Sequence, residues 1–367
     1  MKFGGTSVRD DASRFSAMKH IQQNVDNGKK VVVVVSAMGR QGEPYATDTL
    51  ISLLKNVEGN ASICPQELDL VMSCGEILSA SYFSHLINQH NLPGIAFTGA
   101  QAGILTDDNA GQAEILNINP MRILQELDKG KIPVVAGFQG ANSDGDVRTL
   151  GRGGSDTSAV ALGSALNAEK VEIFSDVDGI ANADPRQVEN AEFLSEISVQ
   201  QILTMADEGS KVIHPRAVKA SLKTQTPIVA RNTFNNTNGT TIYHGDAKQN
   251  TVSIAHRDNL VMVEFENSVE ISNISDIITI NDNKYLIADD VYLEEKLGMM
   301  KSLNQNFKTT KQWATISVIF GQSKIGFVEI ANAKIINSNN KIIRYLLNRT
   351  NLTESICKLF NHYIKTK

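Results

Sequence analysis

The 367-residue sequence has only three cysteines and no long apolar run. Cys64, Cys74 and Cys357 lie far apart, form no CxxC pair and cannot all pair within one chain. This excludes a disulfide framework and predicts reduced thiols in the cytosol. The longest apolar run, Val31–Val35, is far too short to span a bilayer, and residues 1–5 leave no room for the apolar core of a signal peptide. We therefore expect a cytoplasmic protein without a membrane partner.

The sequence also lacks a basic excess. It has 35 Lys and Arg residues against 40 Asp and Glu residues, for a formal net charge of −5. Nothing in this balance favours binding to nucleic acid or to an anionic membrane surface. With 41% hydrophobic and 20% charged residues, the composition is ordinary for a globular protein. The length suffices for one large domain and a small one.

Glycine becomes rare in the last third of the chain. Of the 26 glycines, only Gly298, Gly321 and Gly326 follow residue 248, while Asn, Ile and Lys become common. We interpret this change as a second, smaller α+β domain over residues 250–367, after a linker at 245–247. Its predicted elements are strands at 260–265 and 314–320 and a closing amphipathic helix at 353–363.

Residues up to 244 alternate between strand-like and helix-like patterns. The β-branched run Val31–Val35 is typical of a strand buried on both faces. Such alternation predicts an α/β domain over residues 1–244, with a mostly parallel sheet and helices on both faces. Ligands bind beyond the carboxyl ends of the strands in sheets of this kind. Further strands are predicted at 94–97, 132–136 and 171–174, and helices near 11–27, 76–90, 157–168 and 198–208.

Two glycine-rich segments suggest ligand chemistry. In Lys2–Ser7 (KFGGTS) the glycines let the backbone approach a ligand, their N–H groups can form an anion-binding nest, and Lys2 could reach a phosphate. A plain turn is the alternative. Gly151–Ser158 (GRGGSDTS) precedes an Ala-rich helical run that Ser155 or Asp156 can cap, and a helix N-terminus favours anions. Arg152 can grip a carboxylate with two hydrogen bonds. Here the alternative is an ordinary capped loop.

Other polar residues also fall at promising places. Ser175–Gly179 (SDVDG) follows a predicted strand, and Asp184-Pro185-Arg186 lies just beyond, although Asp-Pro also starts ordinary turns. Glu76 falls at a predicted helix start, where a carboxylate is favoured whatever its function. Lys211 follows a glycine that suggests a helix end. We interpret His214 as structural.

Taken together and in this order, these motifs resemble the amino-acid kinase domain of bacterial aspartate kinases. The resemblance covers about residues 2–242, and its most specific segments are KFGGTS at 2–7, GRGGSDTSA at 151–159, SDVDG at 175–179 and GSKVIHP at 209–215. It implies the amino-acid kinase fold, with ATP and Mg²⁺ as cofactors and L-aspartate as substrate. The implied reaction converts ATP and L-aspartate to ADP and 4-phospho-L-aspartate. This is the first step towards lysine (through diaminopimelate), threonine and methionine.

The resemblance also implies roles at matching positions. Lys2 and Asp156 would be catalytic: Lys2 neutralises charge on the transferred group, and Asp156 organises Lys2 and the metal-bound phosphates. No protein ligand of a metal is implied. Arg152 would take a carboxylate of aspartate and Glu76 its ammonium side. The full implied aspartate-binding set is Thr47, Glu76, Arg152 and Ser155. The implied ATP-binding set is Lys2, Gly4, Gly5, Ser36, Ser175, Asp176, Arg186 and Lys211.

The chemistry of the implied reaction fits these residue types. A side-chain carboxylate has a reference pKa of about 3.9, so it is ionised at neutral pH and needs no general base. The site must instead position the reactants and offset the repulsion between a carboxylate and a polyphosphate. Lysine, arginine, backbone N–H groups and Mg²⁺ supply that.

Two features depart from the family pattern. Relatives carry an apolar first strand before the Lys of KFGG, whereas here Met1 precedes Lys2. We expect the true start to lie upstream, and Lys2 as written to be poorly fixed. Residues 250–367 retain only traces of paired ACT domains, in Ser253–His256 and Leu352–Tyr363, and Gly321–Lys324 replaces an expected loop. We therefore expect a degenerate ACT-like domain that supports a homodimer but responds weakly or not at all to effector amino acids.

Two other functions stay open at this point. A kinase of glutamate, carbamate or a nucleotide would share the fold, but Thr47, Glu76 and the GRGGSDTSA segment favour aspartate. A catalytically impaired or regulatory homologue would account for the missing first strand and the eroded C-terminal region. Against it, the charged motif residues downstream are intact.

Overall fold

The computed structural model describes residues 1–59, 62–210, 213–222, 225–248, 250–265, 277–280, 283–289, 307–323 and 326–365. The chain divides into two compact units. The N-terminal unit contains Met1–Ile180, Phe193–Val199 and Val212–Gly245, and the C-terminal unit contains Ala181–Glu192, Gln200–Lys211 and Asp246–Lys367. One boundary thus falls at the predicted linker, while two short earlier segments cluster with the C-terminal unit. The division into a catalytic domain at 1–244 and a regulatory domain at 250–367 stays a prediction.

The elements of the first 245 residues alternate as an α/β protein requires. The strands are β1 (Lys2–Phe3), β2 (Val33–Val35), β3 (Gly94–Phe97), β4 (Ile104–Thr106), β5 (Ile115–Ile118), β6 (Ile132–Ala136), β7 (Gln139–Ala141), β8 (Val147–Thr149), β9 (Val171–Ser175), β10 (Glu196–Ser198), β11 (Ile228–Asn232) and β12 (Thr240–Tyr243). The helices are α1 (Asp11–Asp26), α2 (Thr47–Lys55), α3 (Pro65–Gln89), α4 (Met121–Asp128), α5 (Gly154–Ala165), α6 (Val199–Asp207) and α7 (Pro215–Ser221). Helix α6 lies almost wholly in the C-terminal unit.

An eight-stranded sheet forms the centre of the N-terminal unit. Its strand order is β10-β12-β11-β9-β1-β2-β6-β3, and every pair except β11 with β12 is parallel. The predicted mostly parallel α/β fold is confirmed. Strand β2 begins at Val33 rather than Val31, and β3 and β6 have the predicted bounds.

The alternation of side chains in β1 places its two residues on opposite faces of the sheet. Phe3 is fully buried and packs with α1 and α3, and its ring stacks on Phe174 at a centroid distance of 4.8 Å. Lys2 therefore points to the other face, where α5 begins. The register pairs Lys2 with Val34 on one side and with Ile173 on the other, so this two-residue strand lies inside the sheet.

A smaller sheet of order β5-β4-β7-β8 lies in the same unit. Its β7–β8 hairpin is antiparallel, and β8 leads directly into the loop Leu150–Gly153 before α5. The predicted helix at 157–168 therefore begins earlier, at Gly154.

Helix α3 is long and apolar enough, by length and composition, to cross a membrane. Half of its most apolar stretch is buried inside the fold. It also carries the buried carboxylates Asp69 and Glu76. These features are typical of a core helix in a globular unit.

The C-terminal unit is built on an antiparallel sheet. The strands are β13 (Val252–Phe265), β14 (Ile277–Ile280), β15 (Asn283–Asp289), β16 (Phe307–Phe320), β17 (Ala333–Ser338) and β18 (Ile342–Asn348), followed by α8 (Leu352–Phe360). Their order in the sheet is β14-β15-β13-β16-β18-β17. The predicted smaller α+β domain is confirmed, with strands longer than the predicted 260–265 and 314–320. Lys324, at the end of the atypical loop, lies outside the described residues.

A buried ion pair ties α6 to this second sheet. Glu208, just after α6, is bound by the guanidinium of Arg344 on β18 and accepts a hydrogen bond of 2.6 Å from the Ser317 hydroxyl on β16. The side chain of Glu208 is buried. The segment that follows α6 thus starts from a fixed point in the C-terminal unit.

Candidate active site

The carboxyl ends of β1, β2 and β6 border a cavity of about 340 Å³ in the N-terminal unit. The position agrees with the rule that ligands bind at this edge of a parallel sheet. The cavity brings together residues that are far apart in the sequence. Those among the predicted site residues are Lys2, Gly5, Ser36, Thr47, Glu76, Arg152, Ser155 and Asp156.

Lys2, the first residue of β1, has a well-defined position. Its side chain lies 2.6 Å (Nζ to Oδ1) from the Asp156 carboxylate, and the residue is only 9% exposed. Asp156 lies in the first turn of α5, where the helix dipole favours a negative charge. The expectation that Lys2 is poorly fixed is wrong, because strands on both sides and this ion pair hold it.

Glu76 lies in the middle of α3 and not at a helix start as predicted. It is 3% exposed, and its Oε1 accepts a hydrogen bond of 3.0 Å from the backbone N–H of Ala37. Its Oε2 is buried without a hydrogen-bond partner among the residues that the structure describes. Burial raises the pKa of this carboxyl to about 8. The wall of the cavity therefore contains a buried carboxyl oxygen that has no hydrogen-bond partner among the described residues.

The residue just before α5 is a glycine for a steric reason. Gly153 is the N-cap of α5 with φ of +71°, and a Cβ there would lie 2.2 Å from Cγ of His214. The predicted capping by Ser155 or Asp156 is wrong, since both lie inside the helix and no side chain caps it. His214 caps α7 by accepting the N–H of Arg216, and burial lowers its pKa. This contact supports the interpretation of His214 as structural, which stays a prediction.

The Gly-Gly pair has one member at the cavity. A Cβ on Gly5 would lie 2.9 Å from the carbonyl oxygens of both Ala37 and Gly39, so the loop after β2 could not approach β1 as closely with any other residue. Gly4 does not line the cavity, and its N–H points at the carbonyl of Phe174 at 3.4 Å. A phosphate contact of either glycine stays a prediction.

Three other predicted ATP-binding residues are absent from the lining of the cavity, namely Ser175, Asp176 and Arg186. Ser175 ends β9, where its hydroxyl accepts the N–H of Val177. Asp176 pairs with Arg40 at 3.2 Å. Arg186 belongs to the C-terminal unit, where it is exposed and binds both carboxylate oxygens of Asp184. Lys211 lies outside the described residues. The roles of these four in nucleotide binding stay predictions.

Sequence reasoning missed several residues of the lining. Arg40 and Gln41 follow β2, Phe138 follows β6, and Asp48 is next to Thr47 on α2. The signal that could have found them is their place directly after a strand, because the whole loop that follows a parallel strand faces the ligand edge. The Arg40–Asp176 pair joins residues 136 positions apart and left no local signal.

Comparison with known proteins shows which family the chain belongs to. Residues 1–232 match the model of the amino acid kinase family. The chain belongs to this family. The match includes β1 with Lys2, the loop after β2, and α5 with Asp156, so the cavity lies wholly within the part that the family shares.

Within the family, the chain is similar to curated aspartokinases. It is 48% identical over 241 residues to Aspartokinase 1 of Bacillus subtilis (strain 168), covering 66% of this chain and 59% of that one. It is 41% identical over 241 residues to an aspartokinase of Geobacillus stearothermophilus, covering 66% and 58%. These matches confirm the resemblance to bacterial aspartate kinases. The chain spans about three fifths of the length of the curated relatives that it matches.

A solved structure extends the similarity in fold to the C-terminal unit. E. coli aspartokinase III, in complex with aspartate and ADP, matches with a TM-score of 0.80 at 20% identity. The match covers 99% of this chain and 98% of that chain. At this identity the match shows a shared fold.

Proposed function

We propose that this chain is an ATP-dependent aspartate kinase, which makes ADP and 4-phospho-L-aspartate from ATP and L-aspartate. It would be a phosphotransferase with a carboxyl group as acceptor, at the first step towards lysine, threonine and methionine. One observation carries the proposal: a single cavity is lined by the Lys2–Asp156 ion pair, by Arg152 and by Glu76. One carboxyl oxygen of Glu76 has no hydrogen-bond partner among the described residues. The curated aspartokinases at 48% and 41% identity support it.

The charges around the cavity complement aspartate. Arg152 lines the cavity, and no carboxylate pairs with it within the described part of the chain. It can therefore take a carboxylate of the substrate with two parallel hydrogen bonds. The unpartnered oxygen of Glu76 suits the ammonium group, whose charge would in turn favour the ionised form of the carboxyl. Thr47 and Ser155 line the same cavity and add hydroxyl groups.

The other requirement is a place for phosphate charge. Lys2 supplies an ammonium group beside the N-terminus of α5, which is a favourable site for an anion. The nucleophile is already an anion, so positioning and charge neutralisation would supply the catalysis. With ATP, Lys2, Gly4 and Gly5 would contact the phosphates, and Ser36 belongs to the loop on the phosphate side. The other predicted residues, which would surround the nucleotide, are Ser175, Asp176, Arg186 and Lys211.

Mg²⁺ would be held by the phosphates of ATP, in the region that Asp156 would organise. No cluster of three metal-ligating side chains occurs among the residues described. This fits Mg²⁺, which keeps several waters and usually takes one or two carboxylates plus substrate phosphates. Asp156 is the carboxylate placed beside the phosphate-binding lysine. Mg²⁺ would neutralise part of the charge on the phosphates.

The same proposal includes a cytoplasmic homodimer with no nucleic-acid or membrane partner. The second candidate, a catalytically impaired homologue, loses one of its two reasons, because Lys2 is fixed inside the sheet. A kinase of glutamate, carbamate or a nucleotide has no observation in its favour.

An ADP-release assay with aspartate, glutamate, carbamate and a nucleoside monophosphate tests the proposal. We expect turnover with aspartate only. Arg152→Ala should lower kcat/KM for aspartate by roughly 30-fold or more, the effect of losing a desolvated charge-assisted pair of about 2–5 kcal/mol. Lys2→Ala should instead lower kcat. Arg122→Ala, on the exposed face of α4, is the matched control and should behave like the wild type. Turnover of another acceptor, or an unaffected Arg152→Ala enzyme, would overturn the assignment.

A further inference from the structure

Helix α3 carries a second buried carboxylate one heptad before Glu76. Asp69 and Glu76 are seven residues apart, so at 3.6 residues per turn they lie on the same face of the helix. Glu76 lines the cavity, whereas Asp69 does not. Asp69 is nonetheless fully buried, at 0% exposure. A carboxylate with no contact to the ligand site needs another reason to be there, because its burial is costly.

Backbone and hydroxyl donors surround Asp69. The N–H of Gly111 contacts both carboxylate oxygens, at 3.0 and 3.1 Å. The N–H of Thr149 donates at 3.2 Å and its hydroxyl at 2.5 Å. No lysine or arginine pairs with Asp69 in the described ranges. The carboxylate therefore joins two separate backbone segments, the loop at Gly111 and the end of β8.

A second clamp holds the same two segments from another direction. The guanidinium of Arg216, on α7, donates to the carbonyl of Leu150 and, at 3.1 Å, to the carbonyl of Ala113. The N–H of Ala113 also donates to the carbonyl of Thr149 at 2.9 Å. Asp69 accepts hydrogen bonds from N–H groups and Arg216 donates to carbonyl groups. Together they fix both backbone segments, the loop at 111–113 and the chain at 149–150.

The fixed segment is the one that presents Arg152. Thr149 and Leu150 lead into Gly151, which has φ of +71°. A Cβ on Gly151 would lie 3.0 Å from the carbonyl of Gly111 and 3.3 Å from Nη1 of Arg216. Only glycine lets the chain turn here against both parts of the clamp, and Arg152 is the next residue.

We propose that Asp69, together with Arg216, is a positioning residue that sets the place of Arg152 in the cavity. The inference rests on the proposed function, since it assigns Arg152 to the carboxylate of aspartate. A bidentate grip depends on the position and orientation of the guanidinium. Selectivity for the acceptor thus depends on a carboxylate that never touches it.

The test compares kinetics and local amide exchange in Asp69→Asn and wild-type enzyme. The asparagine keeps the shape but turns one acceptor into a donor that faces N–H groups. We expect the KM for aspartate to rise by about tenfold or more, as displacements near 1 Å can cost 10²-fold, with the KM for ATP within about twofold. Thr149→Val should shift the aspartate KM in the same direction, and Thr149→Ser should restore it. Amides of residues 111–113 and 149–154 should exchange faster, while those of β6 stay unchanged.

Glu172→Gln is the matched control for loss of a buried carboxylate. Glu172 is held by Arg231 and Lys170, on the opposite edge of β1 from β2, away from the Arg152 loop. The Glu172→Gln enzyme should be less stable than the wild type, without a selective change in its KM for aspartate. The inference is overturned if Asp69→Asn shows the control's pattern, or if neither KM nor exchange changes. If Asp69→Asn does not fold, the Thr149 pair decides between the same two results. A wild-type enzyme without aspartate turnover would overturn the proposed function, while amide exchange would still test the clamp.

Discussion

At the scale of single residues, Glu76 is the group whose chemistry the fold alters most. Its carboxyl is buried, one oxygen accepts a hydrogen bond from a backbone N–H, and the other has no hydrogen-bond partner among the described residues. The pKa of about 8 means that the empty site carries a neutral Glu76 at neutral pH. An ammonium group placed against it would favour the ionised form, so binding of aspartate would release a proton.

This release predicts how aspartate binding depends on pH. Between about pH 6 and about pH 8, a rising pH should lower the KM for aspartate, because less work is needed to ionise Glu76. Above the pKa of the empty site the dependence should level off. Calorimetry in buffers of different ionisation enthalpy should show release of nearly one proton at pH 7. Glu76→Gln should raise the KM and abolish the pH dependence; a KM that is flat from pH 6 to 8 in the wild type would contradict the prediction.

Arg40 shows what a single side chain adds that no local pattern predicts. It lines the cavity and also pairs with Asp176 beyond the end of β9. Both side chains are exposed, so the pair itself adds little stability. Its consequence is geometric: the loop after β2 and the loop after β9 are connected across the end of β1.

At the scale of elements, the packing of α3 against the loop after β2 decides the shape of the cavity near Glu76. Gly75 is the contact point. A Cβ there would lie 2.9 Å from Cβ of Ala37 and 3.1 Å from the carbonyl of Tyr45. The same loop donates the Ala37 N–H to Glu76. Displacing the loop therefore removes the hydrogen bond that orients Glu76.

We predict that Gly75→Ala impairs both stability and aspartate binding. Helix propensity alone would favour alanine by about 1 kcal/mol, but the overpacked contact should cost about 1–3 kcal/mol. The net result should be a lower Tm and a KM for aspartate raised at least several-fold, checked by thermal unfolding and initial rates. Ser81→Ala, at an exposed position of the same helix, should leave both unchanged. A more stable, fully active Gly75→Ala enzyme would show that the loop is free to move.

The start of α3 shows where element prediction from the sequence failed. The predicted helix at 76–90 begins at Pro65 in the structure. Proline at the first helical position is a start signal, and Gly75 lies inside the helix rather than before its start. In the fold, that glycine serves close packing between elements. Short strands such as β3 and β6 were predictable, because each is a short apolar run with a glycine one or two residues after its end.

Several of the predicted site residues line one cavity, although their roles stay predictions. Lys2 lies in β1, Glu76 accepts a hydrogen bond from the loop after β2, and Arg152 lies in the loop between β8 and α5, and all three line the cavity. Asp69 and Arg216 were not predictable in the same way. Their partners are backbone groups 42 to 103 positions away, and such contacts leave no pattern in the sequence.

At the scale of the whole molecule, the C-terminal sheet bears on assembly and regulation. Strands β14 and β17 are the outer strands of its described part, and an outer strand offers unpaired backbone groups to a second copy. Allosteric inhibition requires more than this, namely a ligand that binds two global states unequally. The atypical loop at Gly321–Ser323 speaks against such a ligand.

We predict a homodimer whose kinase activity changes little with lysine, threonine or diaminopimelate. Sedimentation should show the dimer at micromolar concentration. Steady-state rates with each amino acid, at saturating and sub-saturating aspartate, should stay within about twofold of the rate without it. A monomer, or strong inhibition by any of the three, would show that the C-terminal unit has been misjudged.

The short strand β1 also sets the order in which the enzyme can become active during synthesis. Lys2 pairs with Val34, 32 residues later, and with Ile173, 171 residues later. At about 5–20 residues per second, the ribosome adds Ile173 roughly 9–34 s after Lys2. Until then the lysine has a neighbouring strand on one side only, and the two halves of the sheet have nothing to join them. A nascent chain that has not reached β9 therefore cannot complete the surroundings of Lys2, and under the proposed function it would not yet consume ATP.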